Sequence, residues 1–216
     1  GVASKSNVTR GVPRIEEILS LSENPKNPST TIYLPKELER DQTAATEMIR
    51  DFEHTSLRDV VNSVTICFDP DDLNTLIKDD IETIRQYKEF SDIVSDCMQN
   101  KGQDEKNKSK WVIRMEMNKM VMLDKKITMD DINFALTYSY PDTVSCIYSD
   151  YNSDNLVFRI RLNIANQSKK KMENVAISLD QSDEIHMLKN FQEDLLNNVI
   201  LRGIKKLSKV LLRKIS

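Results

Sequence analysis

Two hydrophobic patterns alternate along this chain, and their order constrains the fold more than any other feature of the sequence. Apolar residues recur at helical spacing in residues about 14–22, 40–53, 79–98, 129–138 and 182–199. Stretches rich in β-branched and aromatic residues indicate strands at about 30–34, 57–68, 112–117, 144–148 and 156–164. Helices and strands are therefore mixed along the chain, and we predict an α+β fold.

Polar segments separate these elements and indicate turns and loops. Asn24–Pro28 is a breaker cluster that ends the first helix, and the run Asp69–Asp72 is interpreted as a solvated surface turn. Residues 100–110 and 166–181 are predicted to be polar loops, the second with one short strand near 175–179. Gly203 is predicted to mark the end of the helix at 182–199. The spacing in 204–215 favours a helix, although it also fits a strand.

The composition is that of a soluble globular protein. Hydrophobic residues make up 39% and charged residues 30% of the 216 residues, and no apolar run approaches the roughly 20 residues that a membrane helix needs. The formal net charge of −3 argues against a wholly basic nucleic-acid binder. Basic residues near the C-terminus are candidate contacts for phosphate or an acidic neighbouring subunit, although a solvated basic face explains them equally well. They are Arg202, Lys205, Lys206 and Lys209.

The cysteines indicate the compartment. Cys67, Cys97 and Cys146 are scattered, without a Cys-x-x-Cys pair, which is typical of an intracellular, reducing environment. We interpret them as buried structural thiols.

The sequence carries no recognisable catalytic motif. It has no Walker loop, dinucleotide glycine fingerprint or nucleophile elbow. A two-magnesium centre needs clustered carboxylates, for which Asp69–Asp72 is the nearest candidate. Because that run is interpreted as a solvated turn, we predict no catalytic residue and no metal ligand in this segment.

The opening residues have the composition of a hinge. Gly1, Ala3 and Ser4 are small, so the backbone can change conformation at low cost. The run Gly11–Arg14 follows as a turn, and Pro13 suits the first turn of a helix. The chain lacks an initiator Met and a signal peptide, and we expect it to open inside a longer polypeptide.

Several blocks of this sequence resemble one protein family. The opening, Gly1–Leu19, resembles the C-terminal arm of the trigger loop in the largest subunit of multisubunit DNA-directed RNA polymerases of eukaryotic type, nearest to RNA polymerase II. Further blocks of the same resemblance follow in order along the chain: Asn27–Leu34, Phe52–Leu57, Asp69–Asp71, Lys110–Met117, His186–Lys189 and Asn198–Ile204.

The resemblance implies a domain organisation and a function. Residues 1–54 would form the trigger-loop arm and base, residues 55–190 the jaw module, and residues 191–216 a return segment to the base. The fold would be a helical base with an inserted mixed α/β jaw, and the last segment would be a strand. The polymerase is a nucleotidyltransferase that extends RNA on a DNA template. Its catalytic magnesium would lie upstream of this segment, so the fragment alone would not be catalytic.

The resemblance also implies roles for particular residues. The arm would fold when the correct nucleoside triphosphate is bound and swing away for translocation, with Glu17 holding its base through a charge pair. The trigger-loop hinge would comprise Gly1, Val2, Ala3, Ser4, Lys5, Gly11, Pro13, Arg14 and Glu17. The candidate contacts with nucleic acid or another subunit would be Arg10, Arg202, Lys205, Lys206 and Lys209.

The expected partners are other RNA polymerase subunits and downstream duplex DNA, and no membrane. The Lys- and Asn-rich loops differ from cellular members of the family and favour a large cytoplasmic DNA virus as the source. The protein would then act in the host cytoplasm or the virion, and in the nucleus if it is cellular. An alternative is a stand-alone protein-interaction or DNA-binding transcription factor module. The helix at 182–199 and the basic C-terminus support this alternative, whereas the opening residues argue against it.

Overall fold

A computed structural model describes residues 8–97, 108–163 and 181–214 of the chain. The chain divides into two compact units. The first consists of Gly1–Glu53 and Leu207–Ser216, and the second of His54–Lys206. Helices occur together with a four-stranded antiparallel sheet, so the predicted α+β fold is confirmed.

The first unit contains two of the predicted helices, α1 (Val12–Leu19) and α2 (Gln42–Phe52). Asp41 caps α2, because its carboxylate accepts hydrogen bonds from the backbone N–H groups of Thr43 at 2.9 Å and Ala44 at 3.1 Å. The strand predicted at 30–34 is wrong: these residues form no ladder, and Ile32 and Tyr33 are exposed. A β-branched run forms a strand only when another strand pairs with it.

The second unit contains the remaining elements. In chain order they are β1 (Thr55–Ser56), α3 (Leu57–Val60), β2 (Val61–Phe68), α4 (Ile81–Cys97), β3 (Trp111–Met117), α5 (Lys119–Lys125), α6 (Met129–Ser139), β4 (Val144–Tyr148), β5 (Val157–Leu162), α7 (Gln181–Asn198) and β6 (Ile200–Arg202). A 3-10 turn at Lys78–Asp80 leads into α4. The helix α7 runs without interruption across the predicted boundary between residues 190 and 191.

The four-stranded sheet has the order β2-β3-β5-β4, and every neighbouring pair is antiparallel. The polar connection between β4 and β5 was predicted to be hairpin-like, and these two strands do pair directly. In addition, β1 and β6 form a separate two-stranded antiparallel ladder.

Alternation along the central strands gives the sheet two different faces. In β3, Ile113 and Met115 belong to the hydrophobic core, whereas Arg114 between them does not. In β5, Phe158 and Ile160 belong to the core, with Arg159 between them. The predicted use of β3 with two distinct faces is therefore confirmed. Helices contribute the other core side chains, including Leu57, Met122, Ile132, Leu136, Leu188 and Leu195.

The strand predicted at 57–68 begins four residues later, because Leu57–Val60 forms the short helix α3. The carboxylate of Asp59 accepts a hydrogen bond from the backbone N–H of Ser56 at 2.8 Å, which favours a helical turn at this point. Leu57 and Val60 are both fully buried, as their spacing of three residues on one helical turn allows.

Two further elements differ from the prediction. The helix α5 was not predicted; Asn118 caps its start, and Lys126 ends it with φ 53 in the left-handed region. The described residues 204–214 contain neither a helix nor a strand, so the helix favoured by the spacing and the strand implied by the resemblance are both wrong. The helix predicted at 182–199 is confirmed as α7, although it ends at Asn198 and Gly203 lies five residues beyond it. The strand predicted near 175–179 lies outside the described residues.

In the described parts of the chain, no helix combines the length and the apolar character that crossing a membrane requires.

Candidate functional site

Gly11 stands immediately before α1 in a backbone conformation that favours glycine, with φ 74 and ψ −146. A Cβ added there would meet no atom within 4 Å, so the backbone angle and not the available space selects glycine. Pro13 lies in the first turn of α1, where its missing N–H costs no helical hydrogen bond. The predicted hinge residues Gly1–Lys5 lie outside the described residues.

Glu17 connects α1 to the segment that follows it. Its carboxylate accepts a hydrogen bond from the Arg14 guanidinium at 3.0 Å and another from the backbone N–H of Lys26 at 2.9 Å. The Thr9 hydroxyl donates to the Lys26 carbonyl at 2.7 Å, so the segments before and after α1 meet at one residue. The Lys26 N–H and the Arg14 side chain lower the pKa of Glu17, which therefore stays ionised in this arrangement.

The apolar stripe of α1 is exposed. Ile15, Ile18 and Leu19 are each more than half exposed, and no residue of this helix is buried. The helix is therefore held by its termini and by Glu17, and not by packing within the first unit.

The predicted basic contacts have different surroundings. Arg10, Lys205, Lys206 and Lys209 are exposed. Arg202, which was also predicted as a contact, instead donates from both terminal guanidinium nitrogens to backbone carbonyls at the end of α5, at 3.1 Å to Lys125 and 3.0 Å to Lys126. Two of its donors are therefore used within the fold.

A network of buried charges lies on the second face of the sheet. Arg159 is 2% exposed, and Asp69 and Asp80 are both fully buried. The Arg159 guanidinium contacts the Asp69 carboxylate at 2.6 Å and the Asp80 carboxylate at 2.5 Å. Arg114 on the neighbouring strand β3 donates to Asp80 at 2.9 Å from Nη2. Each buried carboxylate therefore faces at least one guanidinium, which is the condition for keeping charges in an interior.

The network continues to the end of β5. Arg161 donates from Nε to Asp72 at 3.0 Å and from Nη1 to the Ser109 carbonyl at 3.0 Å, and its Nη2 also contacts Asp72. Arg159 reaches the same Asp72 carboxylate at 3.0 Å. Asp72 thus joins the two arginines of β5.

The interpretation of Asp69–Asp72 as a solvated turn is wrong for Asp69 and Asp72, because their carboxylates face the arginines of the sheet. Burial by itself would raise the pKa of Asp69, but hydrogen bonds from Thr75, Arg159 and the Leu76 N–H outweigh it, so the pKa lies below its ordinary value. A signal was present in the sequence: two arginines alternate with large apolar residues in one strand, and arginines on a covered sheet face require acidic partners.

This network fixes the segment between β2 and α4 onto the sheet. Asp69 follows β2 directly, and Asp80 precedes the first residue of α4, so both ends of the connection are tied to β5. The arrangement can position α4, but every carboxylate in it is engaged by a guanidinium.

The same engagement argues against magnesium at these carboxylates. Within the described ranges, no three His, Cys, Asp or Glu side chains form a group that could hold a metal ion. The paired carboxylates of these described residues therefore do not fit a two-magnesium centre. That the catalytic magnesium lies elsewhere in the subunit stays a prediction.

An open groove of about 580 Å³ lies between the sheet and α7. Val64, Ile66 and Trp111 form its sheet side, and Ile185 and Glu193 are among the residues on its helix side. Its lining is mainly apolar, and the carboxylate of Glu193 is paired with the guanidinium of Arg58 at 2.5 Å. This lining has the character of a contact surface and not of a phosphoryl-transfer site.

The chain matches a model of a known protein family. The family model described as RNA polymerase Rpb1, domain 7, matches residues 55–202, which are 148 of the 216 residues. The matched range begins at β1 and ends at β6, so it includes the whole four-stranded sheet and the charge network. The match favours the polymerase over the alternative of a stand-alone factor, and it implies other polymerase subunits as partners. The chain belongs to this family and is a segment of the largest subunit of a DNA-directed RNA polymerase.

Proposed function

We propose that residues 1–54 supply the C-terminal arm and base of the trigger loop, and that residues 55–190 form the jaw beside downstream duplex DNA. Residues 191–216 return the chain to the base. The family match supports a place in the largest subunit. The observation that carries the hinge assignment is the backbone of Gly11, which adopts φ 74 directly before the first helix.

The arm is a two-state element in this proposal. The Gly11 backbone sets the direction in which the chain enters α1, and Glu17 holds the other end of the helix to Lys26. A residue that interacts differently in the open and closed states shifts the balance between them. The exposed stripe at Ile15, Ile18 and Leu19 is available for contacts in one of these states.

The chemistry of RNA extension is assigned to other parts of the subunit. Magnesium, when bound there, stabilises the attacking and leaving oxygens of nucleotidyl transfer. The described residues of this chain contribute positioning, since their buried carboxylates are all paired with arginines.

The cysteine pattern supports an intracellular protein. The divergent loops support a large cytoplasmic DNA virus as its source, and such a protein would act in the host cytoplasm or the virion. A cellular protein would act in the nucleus.

Replacement of Gly11 by Ala in the assembled polymerase tests the hinge. The added Cβ meets no neighbouring atom, so the change acts on the backbone conformation alone. We expect the elongation rate or the misincorporation frequency to change by about fivefold, since about 1 kcal/mol of backbone strain that differs between the two states shifts their balance by that factor. Gly203→Ala is the matched control, because Gly203 also has a positive φ, of 88, but lies in the second unit.

Two results would contradict the hinge assignment. The first is elongation by the Gly11→Ala enzyme at the speed and fidelity of the unmodified enzyme. The second is an equal change in the Gly203→Ala enzyme, since the effect would then not be specific to the hinge.

A salt titration with the purified chain tests the DNA assignment. The formal charge of −3 predicts weak association with duplex DNA that falls steeply as salt is added, because such binding depends on neutralising phosphates. Stronger binding is expected only when other subunits complete the channel. Sequence-specific binding by the chain alone that resists salt would favour the stand-alone DNA-binding factor.

A further inference from the structure

The end of α5 and the strand β6 form one surface of the second unit, which we call the α5–β6 surface. Arg202 joins the two elements, because its guanidinium donates to the carbonyls of Lys125 and Lys126. The ammonium group of Lys125 in turn donates to the Thr55 hydroxyl at 3.2 Å, and Thr55 is the ladder partner of Arg202. Lys205 follows Arg202 by three residues, in a turn.

Large apolar side chains are exposed on this surface. Leu123 of α5 is 50% exposed, and Ile204 just after β6 is 52% exposed. Ile200 lies on the same face of β6 as Arg202 and is 37% exposed. Leu201, between them, packs against the core. Exposed apolar side chains that cluster inside a polar rim mark protein contact sites.

The neighbouring helix α6 also carries exposed aromatic side chains. It lies beside β6, and the rings of Phe134 and Tyr138 on it are stacked with centroids 6.3 Å apart. Phe134 is 73% exposed and Tyr138 is 81% exposed. Stacked aromatic side chains of this kind are frequent anchors of protein interfaces.

The charges of the α5–β6 surface are mainly positive. Lys125 is the last residue of α5 and Lys126 follows it directly, and Lys205 and Lys206 follow β6 in an exposed turn. Three exposed acidic residues lie near them, Asp124, Asp130 and Asp131, and are outnumbered by these four lysines together with Arg202. A partner that complements this surface therefore carries carboxylates.

We propose that the α5–β6 surface docks an acidic segment, with apolar side chains among its carboxylates, of another RNA polymerase subunit. Duplex DNA presents phosphates to cations but no apolar surface that would cover Leu123, Ile200 and Ile204. A protein segment satisfies both features, because its carboxylates face the lysines while its apolar side chains exclude water from the isoleucines and the leucine. Arg202 acts here as a positioning residue that holds α5 against β6.

Photo-crosslinking in the assembled polymerase tests this docking. A photo-reactive amino acid placed at Ile204 is expected to join this chain to an acidic segment of one other subunit, identified by mass spectrometry of the adduct. The same probe at Phe90, an exposed residue of α4, is the control and is expected not to reach that segment. Crosslinks from Ile204 to DNA, to this chain alone or to no partner would overturn the proposal.

Charge reversal gives an independent measurement. The double substitution Lys205→Glu and Lys206→Glu is expected to lower retention of the crosslinked subunit about tenfold in washes at about 0.15 M salt, where exposed charges still attract. The double substitution Lys205→Arg and Lys206→Arg keeps both positive charges and is expected to retain the subunit. Lys88→Glu on α4 serves as the control for a charge reversal elsewhere. Unchanged retention in the glutamate variant, or equal loss in the Lys88→Glu enzyme, would overturn the docking while leaving the hinge and jaw proposals standing.

Discussion

Arg114 and Arg159 lie directly opposite each other on β3 and β5, and both donate to the carboxylate of Asp80. Two like charges in facing positions of an antiparallel ladder repel each other. The shared carboxylate converts this repulsion into a bridge between the two strands and the start of α4. Asp80 is fully buried, so the bridge operates with little screening by solvent.

Replacement of Asp80 by Ala is expected to lower the free energy of unfolding by about 3–5 kcal/mol, because it leaves two guanidinium groups facing each other without their shared partner. Urea unfolding of the full chain measures this change. Glu82→Ala is the control, since the exposed ion pair of Glu82 with Arg85 at 2.7 Å should contribute less than about 1 kcal/mol. Equal losses in both variants would refute a structural role for the network.

Acid is expected to weaken the second unit through Asp69. Hydrogen bonds outweigh burial and place the pKa of Asp69 below its ordinary value of 3.8, so the folded chain takes up this proton less readily than the unfolded chain. The stabilisation is therefore present above pH 3.8 and is lost as the pH falls through the lower folded pKa. Urea midpoints measured from neutral pH to below this value should fall more steeply for the unmodified chain than for Asp69→Asn. Equal pH dependence of the urea midpoints in the two chains would show that Asp69 does not contribute to the acid sensitivity of the fold.

The start of α6 depends on a reciprocal cap. The Thr128 hydroxyl accepts from the Asp131 N–H at 3.2 Å, and the Asp131 carboxylate accepts from the Thr128 N–H at 2.9 Å. Thr128→Ala is expected to cost about 1 kcal/mol in the free energy of unfolding. Thr137→Ala, in the interior of the same helix, should change it by less than about 0.5 kcal/mol, because Ala favours the helix. Thermal or urea unfolding compares the two, and similar costs would argue against the cap.

Cys146 is expected to react slowly with thiol reagents. Cys146 is only partly buried, and not fully buried as predicted, but its packing against the core raises its pKa from 9.0 to about 12, which leaves very little of the reactive thiolate at neutral pH. Alkylation followed by peptide mass spectrometry should show Cys146 reacting at least about 100-fold more slowly in the folded chain than in urea. The unfolded chain supplies the control, and equal rates before and after unfolding would contradict the burial of this thiol.

Local signals in the sequence determined much of the secondary structure. The alternation in β3, the cap at Thr128 and the helical spacing of α2 and α7 each depend on residues close in the chain, and the structure confirms these elements. The resemblance to the polymerase subunit was also readable from short motifs, and the family match agrees with it at the level of the subunit. Such signals are local because capping bonds and side-chain periodicity act within one or two turns.

The tertiary structure decided how distant residues meet. Arg159 bonds to Asp80 and Asp69, which precede it by 79 and 90 residues, so the turn that looked solvated in sequence is tied to the sheet. The segment at 30–34 has strand composition but no partner, and Leu57–Val60 has strand composition but a helical cap. The hydrogen bond from Arg202 to the Lys125 carbonyl of α5 also could not be predicted from the sequence. Strand pairing and ion pairing depend on which elements the whole chain brings together, whereas a periodic pattern reports only which face of an element is apolar.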